Sequence, residues 1–169
     1  MSLAGLPVWA PLSYEGPAGA LVRGLKYRGA AGLADAMAAQ IAANSPPGLL
    51  ERPAVLVPVP LHPSRRRSRG YNQAERLAHA LARRSGLELR DCLRRTGAAT
   101  RQVGRGREER LGRPPAGIEL SPRGACPSDV LLVDDVATTG ATLAACAAAL
   151  DAAGARWVMA VAFARTPGR

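Results

Sequence analysis

Apolar positions along the chain follow two periods. Residues 54–59 (Ala-Val-Leu-Val-Pro-Val) and 130–133 (Val-Leu-Leu-Val) are short, nearly continuous apolar runs. That is the pattern of strands buried on both faces of a parallel sheet. Residues 157–164 predict a further strand, and residues 87–93 and 116–120 predict two shorter ones. Helical spacing fills the intervals. Residues 18–28 predict a short helix despite Gly24. Residues 31–43 predict a second, with Leu33, Met37 and Ile41 on one face, and 44–48 (Asn-Ser-Pro-Pro-Gly) break it. Residues 70–84 predict an amphipathic helix with Ala74, Leu77, Ala78 and Leu81 facing in. From Gly140 the spacing of Leu143, Cys146, Ala147 and Leu150 predicts a helix to about Ala153, with Gly154 ending it as a C′ glycine. Residues 95–106 are polar and rich in Gly and Arg and read as a mobile loop. Strands alternating with helices predict an α/β domain with a largely parallel sheet and right-handed crossovers. Ligands of such sheets sit beyond the carboxyl ends of the strands, so the loops after Val59 and Val133 are expected at one edge.

Composition narrows the class. A chain of 169 residues that is 47% apolar is long enough for one domain with its own core. No apolar run reaches the roughly 18 residues of a membrane span. The first residues show no basic segment leading into an apolar stretch, so no secretory signal is expected. Cys92, Cys126 and Cys146 are odd in number and far apart, with neither a disulfide framework nor a metal spacing. With only His62 and His79 besides, no protein zinc site is expected, and the reducing cytoplasm is the expected compartment.

The net charge is +10, and its placement matters more than its size. Residues 61–113 hold fifteen arginines against five acids, while the remainder balances. Arginine in place of lysine fits a GC-rich genome, but clustering does not follow from that. A concentrated basic field implies a polyanionic ligand: pyrophosphate, nucleic acid, or both.

The most specific chemistry lies in residues 130–142. Asp134 and Asp135 stand where the apolar run ends, and Thr138, Thr139, Gly140 and Thr142 make a small hydroxyl-rich turn into a helix. The free amides of a first helical turn and the positive end of its dipole favour a phosphate. The hydroxyls can donate to it, and Gly140 permits close backbone approach. Two carboxylates beside a phosphate would repel it unless they accept hydrogen bonds from sugar hydroxyls or hold Mg²⁺ through water. A sugar phosphate satisfies both demands. Residues 57–78 supply a second anion site: a strand, a proline-punctuated loop, then Arg65, Arg66, Arg67 and Arg69 before Gly70 and a helix. Guanidinium forks pair with phosphate oxygens. A single arginine could instead be solvated, but the loop as a whole faces the same sheet edge as Asp134. His62, among prolines, reads as a hydrogen bonder that fixes the loop.

Residues 130–142 resemble the phosphoribosyl-pyrophosphate (PRPP) loop of type I phosphoribosyltransferases at every position: four apolar residues, two acids, two variable residues, Thr-Thr/Ser-Gly, a variable residue and Thr. Residues 57–78, with Val-Pro-Val-Pro-Leu-His, an arginine-rich gap and Arg-Gly-Tyr-Asn-Gln-Ala, resemble the ComF family, phosphoribosyltransferase-like proteins tied to bacterial DNA uptake that include GntX-like proteins. The likeness extends to Leu25-Lys26-Tyr27-Arg28-Gly29 and, weakly, to Thr100, Gln102, Arg107 and Arg110. Two departures stand out. The family's N-terminal cysteine-rich zinc element is absent from these residues, whether lost, never present in this branch, or cut away. Arg113 also stands where an Asn is expected after the arginines around Arg110.

The resemblance implies a type I phosphoribosyltransferase α/β domain, with residues 1–50 as a small N-terminal helical hood and 51–169 as the core. It implies the 5′-phosphate of PRPP on Ala137, Thr138, Thr139, Gly140, Ala141 and Thr142, the ribose diol at Asp134 and Asp135, and pyrophosphate on Arg65, Arg66, Arg67 and Arg69. Thr100, Gln102, Arg107 and Arg110 would belong to a flexible loop closing over the ligand. Mg²⁺ would come with PRPP, held through ligand and water near Asp134 and Asp135, with no direct protein metal site. The implied activity is transfer of the 5-phosphoribosyl group from PRPP to an acceptor, in nucleotide salvage or linked to DNA uptake and natural transformation. Left open are a non-catalytic PRPP or nucleotide sensor, a contact with single-stranded DNA or the uptake machinery, the acceptor base and the oligomeric state. Tyr71 is the lone aromatic of the basic third, which weighs against nonspecific strand binding.

Overall fold

The computed structural model describes residues 2–28, 31–95, 118–120 and 125–167. In chain order the elements are β1 (Ser2–Leu3), β2 (Leu6–Trp9), β3 (Leu12–Ser13), α1 (Gly16–Arg28), α2 (Ala31–Asn44), β4 (Val55–Pro58), α3 (Pro63–Arg69), α4 (Gln73–Ser85), β5 (Leu93–Arg95), β6 (Ile118–Leu120), β7 (Asp129–Ala137), α5 (Ala141–Ala152) and β8 (Trp157–Arg165). The main sheet runs β1-β2-β8-β7-β4, with β3 also against β8. Its pairings are parallel except β1 with β2. The architecture is therefore the mainly parallel α/β sheet flanked by helices that the alternating periods predict.

Period-two alternation sorts the side chains onto two faces. Leu56, Leu131, Val133, Val161 and Phe163 point to one side, into a core shared with α1, α2 and α4. Val57, Val130, Leu132, Ala160 and Ala162 point to the other, against Leu143, Cys146 and Leu150 of α5. Each of the larger side chains contributes about 1.5–3 kcal/mol by leaving water. Residues 6–13 pair with β8, and α2 packs in the same core as α4, so the N-terminal third is joined to this sheet and core.

Several elements depart from the periodic pattern. The strand expected over 130–133 runs on to Ala137, because β8 continues beside it through the register pairs Asp134 with Ala162 and Val136 with Ala164. The neighbour on the other side stops earlier: β4 ends at Pro58, opposite Val133, and the last ladder bond is Val59 N–H to the Val133 carbonyl at 3.0 Å. Asp134 and Asp135 thus lie inside a strand whose β4 side is open. The arginine-rich stretch expected as a loop is the helix α3, begun by Pro63 and capped by His62, whose Nδ1 accepts from the Ser64 amide at 3.2 Å. The strand expected over 87–93 reduces to one bridge, Leu89 with Leu56, while regular pairing begins at β5, antiparallel to β6 in a separate two-stranded sheet. The helix expected from Gly70 starts at Gln73.

Candidate functional site

The open notch beside Asp134 and Asp135 is the floor of a cleft of about 310 Å³ at the carboxyl ends of β4 and β7. One wall is the turn after β4, Val59 to Leu61, with Arg65 and Arg69 of α3. Lys26 of α1, Arg95 of β5, Thr138 and Thr142 line the cleft as well. The sheet thus delivers the acids and the first β4 loop to one edge, as the strand order requires.

Thr138 to Thr142, with Asp134, form a shallow cup of about 60 Å³. Gly140 is the N-cap of α5, and no side chain caps the helix. The nearest substitute is Thr139 Oγ1, which accepts from the Ala141 amide at 3.4 Å. The first turn holds no acid, and Thr138 and Thr139 are exposed. Uncapped amides, the positive end of the helix dipole and the exposed Thr138 and Thr139 hydroxyls give this surface the chemistry that favours an oxyanion. Gly140 is held at φ +78°, and a Cβ there would come 2.6 Å from Leu3 Cβ, so the turn is also pinned under β1.

The two acids differ in surroundings. Asp135 is buried, and Lys26 Nζ lies 3.0 Å from its Oδ2, at ion-pair distance but off hydrogen-bonding geometry. Its backbone amide donates to Asp134 Oδ1 at 2.8 Å. Burial, and then the neighbouring Asp135 charge, hold the Asp134 carboxyl well above the usual carboxylate range. Among the described residues Asp135 Oδ2 has no hydrogen-bond donor, so a ligand hydroxyl that donates would satisfy it.

The four arginines divide by helical position. Arg65 and Arg69, one turn apart, line the acid cleft. Arg66 and Arg67 line a second hollow of about 380 Å³ with Asp91, Arg94 and Arg95, and Arg66 is paired with Glu75 at 3.1 Å. Ala137, Thr139 and Ala141 lie at the cup with Thr138 and Thr142. Thr100, Gln102, Arg107 and Arg110, expected in a closing loop, fall outside the described residues, as does Arg113.

Three cleft residues had no role assigned from the sequence. Lys26 sits in the Leu25-Lys26-Tyr27-Arg28-Gly29 stretch, but its partner Asp135 is remote in sequence. Asn72, 5% exposed, donates Nδ2 to the Val59 carbonyl at 2.9 Å and accepts from the Ala74 amide at 3.1 Å. It therefore caps α4 and clamps the turn after β4 at once. An Asn directly before an amphipathic helix is the signal that would have found it. Gln73 is buried beside it, in the cleft wall.

Mg²⁺ prefers six oxygens in octahedral array and keeps several waters. Among the described residues no group of three or more His, Cys, Asp or Glu could hold a metal, and Lys26 already neutralises Asp135. The two acids fit a Mg²⁺ that arrives on a polyoxygen ligand and reaches them through water, and do not form a cage of their own.

No protein-family model matches the chain. Over 105 residues it is 34% identical to "Competence protein ComFC" of Streptococcus pneumoniae (strain ATCC BAA-255 / R6), an alignment covering 59% of this chain and 43% of that protein. The chain thus spans less than half the length of this curated relative. Two solved structures of a hypoxanthine phosphoribosyltransferase variant from Trypanosoma cruzi are also similar. The complex with the product IMP is 17% identical, covers 76% of this chain and 60% of the other, and superposes with a TM-score of 0.39. The ternary substrates complex is 17% identical, covers 85% and 67%, and superposes with a TM-score of 0.40. Superpositions this loose transfer no residue role. Among the described residues no helix is long and apolar enough to cross a membrane.

Proposed function

We propose that the cleft binds PRPP or a phosphoribosyl nucleotide and that the protein transfers the phosphoribosyl group to an acceptor nitrogen. One observation carries this reading: Asp134, Asp135, Arg65, Arg69, Arg95, Thr138 and Thr142 line a single cleft, next to the uncapped start of α5. The 5′-phosphate would take the amides and hydroxyls of residues 138–142. The ribose hydroxyls would donate to Asp134 and to Asp135, whose Oδ2 has no hydrogen-bond donor among the described residues. Arg65 and Arg69 would pair with the pyrophosphate. In the transfer the bond from ribose C1 to the pyrophosphate oxygen breaks with its electron pair leaving on pyrophosphate, and the acceptor nitrogen forms a bond to C1 and releases its proton. Arg65 and Arg69 relieve the charge growing on the leaving group, and the rest is positioning. Asp134 and Asp135 would hold, through water, a Mg²⁺ brought in by the ligand, which would supply further neutralisation of that charge. The name of the ComFC relative supports a place in competence.

A second reading has its own observation. Arg66, Arg67 and Arg94 line a second hollow that shares Pro60, Leu61, Asn72 and Arg95 with the cleft, so the basic field extends past the cleft. That extension suits a nucleic-acid backbone, with or without turnover. Paired variants separate the two. Arg65→Ala/Arg69→Ala should weaken PRPP binding in Mg²⁺ by at least about tenfold, as loss of a charged hydrogen bond does, and Arg66→Ala/Arg67→Ala should leave it intact. Calorimetry showing no PRPP binding by the folded wild type, or binding unaffected by the first pair, removes the transferase reading. A fall in the salt slope of single-stranded DNA binding in the second pair, by about one unit per charge, supports the nucleic-acid reading.

A further inference from the structure

Among the described residues Tyr27 is the one large apolar side chain left exposed, at 73%. A single exposed ring needs no explanation, but the surroundings of this one do. The Arg69 guanidinium stands over it, 5.5 Å from the ring centroid. Together they border a hollow of about 540 Å³ whose other lining residues are Lys26, Arg65, Ser68 and Tyr71. Lys26, Arg65 and Arg69 also line the acid cleft, so hollow and cleft share a cationic wall.

The platform is held in place. Tyr71 donates its hydroxyl to the Leu25 carbonyl in α1, and the Arg76 guanidinium lies 3.7 Å over the Tyr71 ring. This ties the last turn of α1 to the junction of α3 and α4, which fixes Tyr27 relative to Arg69. A phenol ring with a guanidinium beside it takes a planar π-system, by stacking and by cation–π attraction. The shared cations favour a group whose remainder is anionic. An aliphatic or cationic ligand would gain nothing from such a surface.

We infer that Tyr27 and Arg69 form a stacking site for the heterocycle of a mononucleotide whose phosphate and ribose occupy the adjoining cleft. This rests on the cleft reading above and adds the residue that would read the base. The probes are ribose 5-phosphate, adenosine 5′-monophosphate and uridine 5′-monophosphate, titrated calorimetrically into the full chain and its Tyr27→Ala and Tyr27→Phe variants. Because Tyr27 is exposed, both variants should melt as the wild type does. The expected result is that the nucleotides bind wild type about five- to tenfold more tightly than ribose 5-phosphate, the lower range for one stacked base. Tyr27→Ala should lose that gain, Tyr27→Phe should keep it, and ribose 5-phosphate should bind all three alike. Equal affinity of wild type for all three probes, or a gain that survives in Tyr27→Ala, overturns the stacking site and leaves the cleft reading standing. No binding of ribose 5-phosphate overturns both. If Tyr27→Ala weakens only a single-stranded oligonucleotide, the ring serves a strand and the mononucleotide site is wrong.

Discussion

Lys26 Nζ lies 3.0 Å from Asp135 Oδ2, tying the only lysine of the chain to a carboxylate that is 6% exposed. Burying two charges costs several kcal/mol each, and their attraction offsets it only as a pair. Their value shows when one is removed. Lys26→Met should destabilise the fold by about 2–3 kcal/mol, below the usual 3–5 for a buried pair because the ammonium is 23% exposed. Adding Asp135→Asn to Lys26→Met should restore most of that loss. Urea melts of the two single variants and the double variant test the coupling. Additive losses would show that the two groups do not depend on each other.

Asn72 joins two elements that the cleft needs. Its side chain satisfies the Ala74 amide at the start of α4 and the Val59 carbonyl at the end of β4. Asn72→Ala loses a helix cap and leaves a buried carbonyl short of a donor, together about 2–3 kcal/mol. Asn72→Asp keeps the cap but sets a carboxylate oxygen against the Val59 carbonyl. It should therefore be no better than Ala in thermal melts. An Asp variant as stable as wild type would mean the Val59 bond contributes little.

What the sequence disclosed and what it hid divide on physical grounds. The buried strands and the helix after Gly140 were legible because each has an apolar period of its own. The strand–acid–threonine–helix order of residues 130–142 is local, so its chemistry could be read before any packing was known. The helix α3 was hidden because none of its residues is buried; it rests on Pro63 and the His62 cap and has no apolar face. The division of its arginines between two hollows follows from that helical turn and was hidden with it. β1, β2 and β3 span two to four residues each and exist by pairing with one another and with β8, from the far end of the chain. The Lys26 contact is equally nonlocal, so the motif around it gave no sign of its partner.

Gly140 carries two constraints, a left-handed backbone and contact with Leu3. Gly154, at φ +97°, carries only the first, because a Cβ there would meet nothing within 4 Å. Gly154→Ala should therefore cost about 1 kcal/mol, the ordinary left-handed penalty. Gly140→Ala should cost more, displace β1 and lower phosphate affinity at the α5 amides. Thermal melts and phosphate titration of both variants make the comparison. Equal losses with unchanged phosphate binding would show that β1 yields freely and does not pin the turn.

The elevated Asp134 carboxyl sets the sign of a pH effect. Burial, then the Asp135 charge, raise it above its unfolded value. The folded protein therefore holds this proton more tightly than the unfolded chain does. Stability falls as pH rises from the unfolded pKa, near 4, through the folded one, because the unfolded state ionises more readily. Asp134→Asn removes that penalty and keeps an oxygen for the Asp135 amide. At pH 7 the variant should melt on the order of 2–4 °C higher than wild type, equivalent to about 1 kcal/mol in a domain of this size. The gain should shrink as pH falls towards the unfolded pKa, where the Asp134 carboxyl of the unfolded chain takes up its proton as well. Melts from pH 4 to 8 give the comparison directly. A variant that loses stability at neutral pH would mean that the Asp134 charge supports Lys26 more than its burial costs, and the sign argued here would be reversed.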